Sequence, residues 1–151
     1  MARFIFSMES ILQIKQKLED QAKAEYAVQV AELHRQQEKL HQLERRKDDL
    51  QEQLRQQVSD VLELLQIRQL EDAVENIKYN INLQKIAVVH QQKKTDQARN
   101  KLNDAMKERK TYEKLKERAF EEFKKEVNAE EQKEINELVS FRFGQGADRE
   151  G

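Results

Sequence analysis

Apolar positions recur every three and four residues along most of this chain, and that spacing predicts helix almost throughout. From Leu33 onward a heptad is legible. One row holds Leu33, Leu40, Lys47, Leu54 and Val61, and the other holds Gln36, Leu43, Leu50, Gln57 and Leu64. Upstream, Ile11, Ile14, Leu18, Ala22, Tyr26 and Val30 continue the stripe at spacings of mostly four, which predicts a local phase drift. Downstream the pattern is clean in a new phase. Ile67, Val74, Ile81, Val88, Thr95 and Leu102 form one row; Leu70, Ile77, Gln84, Gln91, Ala98, Ala105, Tyr112 and Ala119 form the other. β-branched residues crowd the first row and small or polar ones the second, as in coiled coils.

The two registers do not match. Continuing the first would place Arg68 and Glu71 in the seam, so a break lies within "QQVSDVLELLQI". Ser59 or Asp60 can cap a new helix, with Asp60 and Glu63 at capping-box spacing. The preferred reading is a tight reversal near residues 58–62; the alternative is a phase slip inside one uninterrupted helix that dimerises in parallel. The expected fold is all-α: an elongated antiparallel two-helix coiled-coil hairpin with a longer second helix. Its expected bounds are a helix over 8–57, a second over 61–143, and a disordered tail over 144–151 beginning at Gly144, a left-handed stop.

The lengths of the arms carry the main functional inference. At 1.5 Å per residue the first helix runs ~75 Å and the second ~125 Å, an excess of roughly twenty to thirty residues. The excess carries Leu115, Ala119, Phe120, Phe123, Val127, Ile135, Leu138, Val139 and Phe141 at helical spacing. An apolar stripe without a partner in its own chain invites one from outside.

Composition strengthens this picture. Of 151 residues, 38% are charged, none is proline, and the three glycines all follow Phe143, so turn chemistry for a compact domain is missing. Mean hydropathy is −1.01, a value that would suit disorder if the apolar spacing were not so regular. The opening "MARFIFSMESILQIKQKLED" is interrupted by Ser7, Glu9 and Ser10, which fits a helix start better than a secretory signal. With Ser7 as N-cap, Phe6 and Ile11 stand at staple positions. No run approaches the ~20 apolar residues of a membrane span, so no direct membrane insertion is expected.

Candidate chemistry is sparse. There is no cysteine, which removes thiolate metal sites and thiol nucleophiles and suits a cytoplasmic setting. His34 and His41 are seven apart, His90 is isolated, and Ser7, Ser10, Ser59 and Ser140 lie in no nucleophile motif. Neither catalysis nor a cofactor or metal is expected. A formal charge of −1 gives no pull toward nucleic acid. Local charge is uneven: Lys93 to Lys125 holds 12 bases against 7 acids, and Glu126 to Glu137 holds 5 acids against one base.

The residues also carry a resemblance. "FIFSMESILQIKQKLEDQAKAE" resembles the start of the flagellar FliJ family, in which an F-x-F lead precedes a stretch of the type L/M-x-x-I/L-L-x-I/V-K/R. "QLEDAVENI" and "KERKTYEKLKERAFEEFKKEVNAEEQKEINEL" are similar to that family's second helix. The resemblance implies a small coiled coil of the flagellar type III export apparatus, similar in fold to the gamma stalk of rotary ATPases. The partners it implies are the hexameric flagellar export ATPase, the cytoplasmic domain of the membrane export gate, and export chaperones. The implied location is peripheral, on the cytoplasmic face of the membrane at the flagellar base. On that footing Phe4, Phe6, Phe120, Phe123, Ile135, Leu138 and Phe141 are the candidate ATPase contacts. Leu43, Leu50, Leu70 and Ala73 are the candidate gate contacts. Two other classes compete: the equivalent stalk of a virulence secretion system, and a self-associating spacer that would dimerise in parallel.

Overall fold

A computed structural model describes residues 3–59 and 63–150, and within it the side chains of 3–57 and 63–144. There are two α-helices, α1 (Glu9–Ser59) and α2 (Leu64–Glu150), which form an antiparallel hairpin with a longer second helix. Among the described residues there is no strand. Glu, Lys, Gln, Leu and Arg supply high helix propensity, and with no proline nothing in the sequence forces a break inside either helix. The reversal was expected near 58–62; α1 instead runs on through Ser59, so Ser59 does not cap α2, and residues 60–62, with the expected Asp60 cap, lie outside the described residues. The chain divides into two compact units: unit 1 is Met1–Glu19 with Ala105–Gly151, and unit 2 is Asp20–Asp104.

Unit 2 is a two-helix coil with a regular seam. On α1 the buried and half-buried positions include Ala22, Tyr26, Gln29, Leu33, Gln36, Leu40, Leu43, Lys47, Leu50, Leu54 and Gln57, alternating by three and four. On α2 they include Ile67, Leu70, Val74, Ile77, Ile81, Gln84, Val88, Gln91, Thr95, Ala98 and Leu102, the two rows expected from the sequence. Val74, Ile77 and Ile81 form its apolar centre, each contributing about 1.5–3 kcal/mol relative to full exposure. Two uncharged polar layers cross the same seam. Gln84 Nε2 donates to Gln36 O (2.8 Å) and Oε1 (2.7 Å). Gln91 Nε2 donates to Gln29 Oε1 (2.6 Å), and Thr95 Oγ1 donates to Gln91 O (2.9 Å) and Gln29 O (3.2 Å). The side-chain donors of Gln84, Gln91 and Thr95 thereby find partners inside the seam, as burial demands. The partners climb α2 as they descend α1, so the pairing is antiparallel.

Unit 1 corrects the sequence reading in three places. First, its seam on α1 is Leu12, Lys15 and Glu19, one residue later than the expected Ile11, Ile14 and Leu18. Leu12 is 2% exposed and Glu19 5%, whereas Ile14 is 55% exposed. The heptad therefore runs without drift from Leu12 to Gln57. It was hidden because two of its early positions are ionic. Second, Met8 O accepts the first helical bond from Leu12 N (3.0 Å), and Phe6 O accepts from Glu9 N (3.1 Å). Met8 is thus the N-cap in place of Ser7. With Met8 as N-cap the staple positions fall on Ser7 and Leu12, so Phe6, which is buried, and Ile11, which is exposed, no longer occupy them. Third, α2 continues through Gly144 to Glu150, and no described glycine has positive φ. A helical glycine costs about 1 kcal/mol relative to alanine, too little by itself to stop a helix this long.

Candidate binding surfaces

The phenylalanines of unit 1 come together because the lead before α1 turns back onto α2. Phe4 meets the edge of Phe120 with ring centroids 5.2 Å apart at 67°, and Phe123 at 5.5 Å and 49°. Edge-on and tilted geometries suit the ring quadrupoles. Lys124 Nζ lies 4.6 Å from the Phe120 centroid, a cation–π contact. Phe4, Leu12, Gln16, Glu113, Lys116 and Phe120 line a shallow groove of about 520 Å³. Of the seven candidate ATPase contacts, Phe4, Phe120 and Phe123 pack on one another and Phe6 is buried.

Ile135, Leu138 and Phe141 have a different setting. From Asn128 to Gly144 every residue of α2 is exposed. Leu138 is 63% exposed, and Ile135, Val139, Phe141 and Phe143 stand with it on the bare helix. Glu130, Glu131, Glu134 and Glu137 accompany them, against Lys133 and Arg142. Large apolar side chains concentrated on one unpaired helical segment mark an interaction surface.

In unit 2 the candidate gate contacts Leu43, Leu50, Leu70 and Ala73 are all half-buried, with the three leucines in the seam rows. Sequence reasoning missed a different set. Tyr79, Leu83, Ile86 and Val89 are exposed, Ile86 at 66%. At about 100° per residue, Tyr79, Leu83 and Ile86 fall roughly opposite the seam residues Ile77, Ile81 and Gln84. α2 is therefore apolar on two faces here. The signal was available: Tyr79, Leu83 and Ile86 are spaced i, i+4, i+7, a second stripe masked by the stronger first. Lys85, Ile86, Val89, His90 and Lys93 line a shallow depression on it. Between Asn76 and Thr95 the chain holds four lysines and no acid, which gives the surface a positive rim.

Charge elsewhere is organised by pairing. Glu9 meets Lys116 at 2.8 Å, and Lys15 donates to Glu108 at 2.8 Å, which raises the lysine pKa. Arg109 bridges Glu19 and Glu113, and the hydrogen bond to Glu19 is the main cause of its raised pKa. His41 is 3.8 Å from Glu44, and His34 and His90 are exposed. Among the described residues no three His, Cys, Asp or Glu side chains gather as metal ligands, and no helix is long and apolar enough to cross a membrane.

Comparison with known proteins adds to this geometry. The profile of a family described as "Flagellar FliJ protein" matches residues 4–148. No curated protein sequence matches the chain. Among solved structures the chain is similar to CT670 of Chlamydia trachomatis, assigned as a YscO homologue. The identity is 25%, the TM-score 0.67, and the likeness covers 93% of this chain and 94% of that one.

Proposed function

The chain belongs to the FliJ family, and on that premise we propose that it is a stalk-like, non-enzymatic part of the flagellar type III export apparatus that binds and stimulates the export ATPase ring. The observation that carries this reading is the bare end of α2. Ile135, Leu138, Val139, Phe141 and Phe143 are exposed on a helix with nothing paired to it. In this reading Ile135, Leu138 and Phe141 enter the ring. Phe4, Phe6, Phe120 and Phe123 form the packed base from which that helix projects. A single chain inside a six-fold ring touches only some subunits at once. Differential contact then biases their nucleotide states, a coupling of binding free energies that needs no chemistry from the stalk.

Contact with the export gate is proposed for the outward stripe of unit 2: Tyr79, Leu83, Ile86, Val89 and His90. Leu43, Leu50, Leu70 and Ala73 contribute only the edges the seam leaves accessible. Escort of export chaperones belongs to the same reading, as does a peripheral position at the cytoplasmic face of the membrane. The likeness to a YscO homologue favours one second reading, the equivalent stalk of a virulence secretion system. Rescue of a flagellar export mutant, or of an injection mutant instead, separates the two.

The decisive experiment mixes the chain with its cognate export ATPase and measures oligomer state and hydrolysis rate. Ile135→Ser, Leu138→Ser and Phe141→Ser together should abolish stimulation while leaving helicity intact. Stimulation that survives the triple change removes the ring-contact reading.

A further inference from the structure

The first turns of α1 present two faces one residue step apart, and the protein buries the more polar one. Ile11, Ile14 and Leu18 each immediately precede a seam residue: Leu12, Lys15 and Glu19. One step on a helix is about 100°, so a roll of that size would exchange the two faces. The hydrophobic effect alone favours burying three large aliphatic side chains over one leucine, a lysine and a carboxylate. The opposite arrangement is observed. What opposes the exchange is visible in the same turns. Glu9 meets Lys116, Lys15 meets Glu108, and Glu19 meets Arg109, three ion pairs from α1 to α2. Arg109 is itself steadied by Glu113 at 2.9 Å.

We propose that these ion pairs form a roll lock, holding α1 of unit 1 in the orientation that keeps Ile11, Ile14 and Leu18 on the solvent side. The innermost pair, Glu19 with Arg109, is the decisive one. A carboxylate in the seam is costly unless it is well paired, and Arg109 gives Glu19 two hydrogen bonds. Loss of those two bonds favours turning Glu19 outward and Leu18 inward. The lock is thus a conformational device: it displays an aliphatic stripe that packing alone would hide.

The native chain has no cysteine, so single-cysteine variants report the roll directly. In the otherwise native protein, Ile14→Cys should react with a maleimide about ten-fold faster than Leu12→Cys, since labelling at the buried site requires local opening. Adding Arg109→Leu should reverse that order. Adding Glu19→Leu as well should restore it, because an apolar pair then holds the seam in its native phase. An unchanged order in Arg109→Leu overturns the proposal. So does equal, fast labelling at both sites, which reports fraying and not a roll. Failure of the Glu19→Leu, Arg109→Leu pair to restore the native order overturns it too.

Discussion

Both units pair α1 against α2 through a heptad seam, yet they place different polar groups in it. Beside Lys47, unit 2 uses amides and a hydroxyl: Gln84 on Gln36, and Gln91 with Thr95 on Gln29. Several of these donors reach backbone carbonyls, which neither titrate nor move away with a side chain. Unit 1 uses ions, Glu19 with Arg109, Lys15 with Glu108 and Glu9 with Lys116. The physical lesson is that equal geometry can carry unequal environmental sensitivity. Salt screens the exposed ion pairs of unit 1 and leaves the amide layers of unit 2 almost untouched. Pairing that responds to its surroundings is concentrated in the unit that also carries the bare end of α2.

The largest expected effect sharpens the seam assignment inside unit 1. Leu12→Ala should lower stability by about 3 kcal/mol, the usual result of emptying a buried leucine site. Ile14→Ala, two residues on, should change it by less than about 0.5 kcal/mol, as at an ordinary surface position. Urea midpoints of the two variants measure the contrast. A larger loss at Ile14 than at Leu12 would mean that the aliphatic stripe, and not Leu12, faces α2.

A middle-sized effect tests the other side of the comparison. Gln91→Ala should cost about 1–2 kcal/mol by leaving the Gln29 amide oxygen without its donor in a closed seam. Replacing both residues, Gln29→Leu with Gln91→Leu, should leave stability near native while relaxing partner choice. Buried polar layers commonly select one register and one oligomeric state at some expense of stability. Sedimentation velocity should then show stronger self-association than for the native chain. A double variant that associates no more than the native chain would limit these layers to simple hydrogen bonding.

How much of this was legible in the sequence depended on which force set each position. The seam of α2 from Ile67 to Ala105 was readable because mainly β-branched and small residues occupy it in strict heptads; beyond it Arg109 and Lys116 hold seam positions that periodicity left out. The seam of α1 beyond Leu33 was readable for the same reason. The start of α1 was not, since Lys15 and Glu19 look like surface residues until Glu108 and Arg109 are known to stand opposite them. Periodicity reports apolar side chains and is silent about pairs separated by ninety residues of chain. The same limit hid the contact of Phe4 with Phe120 and Phe123, which joins two aromatic ends that had seemed equally free. At Gly144 the local rule for ending a helix was sound, but the penalty it encodes is small. A bare stretch was anticipated from unequal arm lengths, but its start was placed too early: Ala119, Phe123 and Val127 were counted in it and are half-buried, and Phe4 packs on Phe120 and Phe123.

The smallest effect qualifies the contrast between the units, because the amide layers of unit 2 donate to two carboxylates, Gln29 to Glu25 and Gln36 to Glu32. Gln84 donates to Gln36 Oε1, and Gln36 Nε2 donates to Glu32 Oε1 at 2.8 Å. Arg35 Nε donates to the other oxygen of Glu32 at 2.8 Å. The Arg35 hydrogen bond, then that of Gln36, lowers the Glu32 pKa from 4.5 to about 2. A carboxylate whose folded pKa is depressed contributes stability that is complete above its unfolded value. That contribution fades as pH falls from 4.5 toward about 2. Glu32 is half-buried, with 35% of its side chain still in contact with solvent, so screening should keep the effect on global unfolding slight. It should be plain in a carbon-detected titration, with the carboxyl midpoint near the depressed value and the Gln36 side-chain amide shifting in step. Glu32→Gln should abolish that amide shift while leaving the Gln84 layer formed. A Glu32 midpoint close to 4.5 would show that the link to Arg35 and Gln36 does not persist in solution, and the amide layers of unit 2 would then be insensitive to acid through this route.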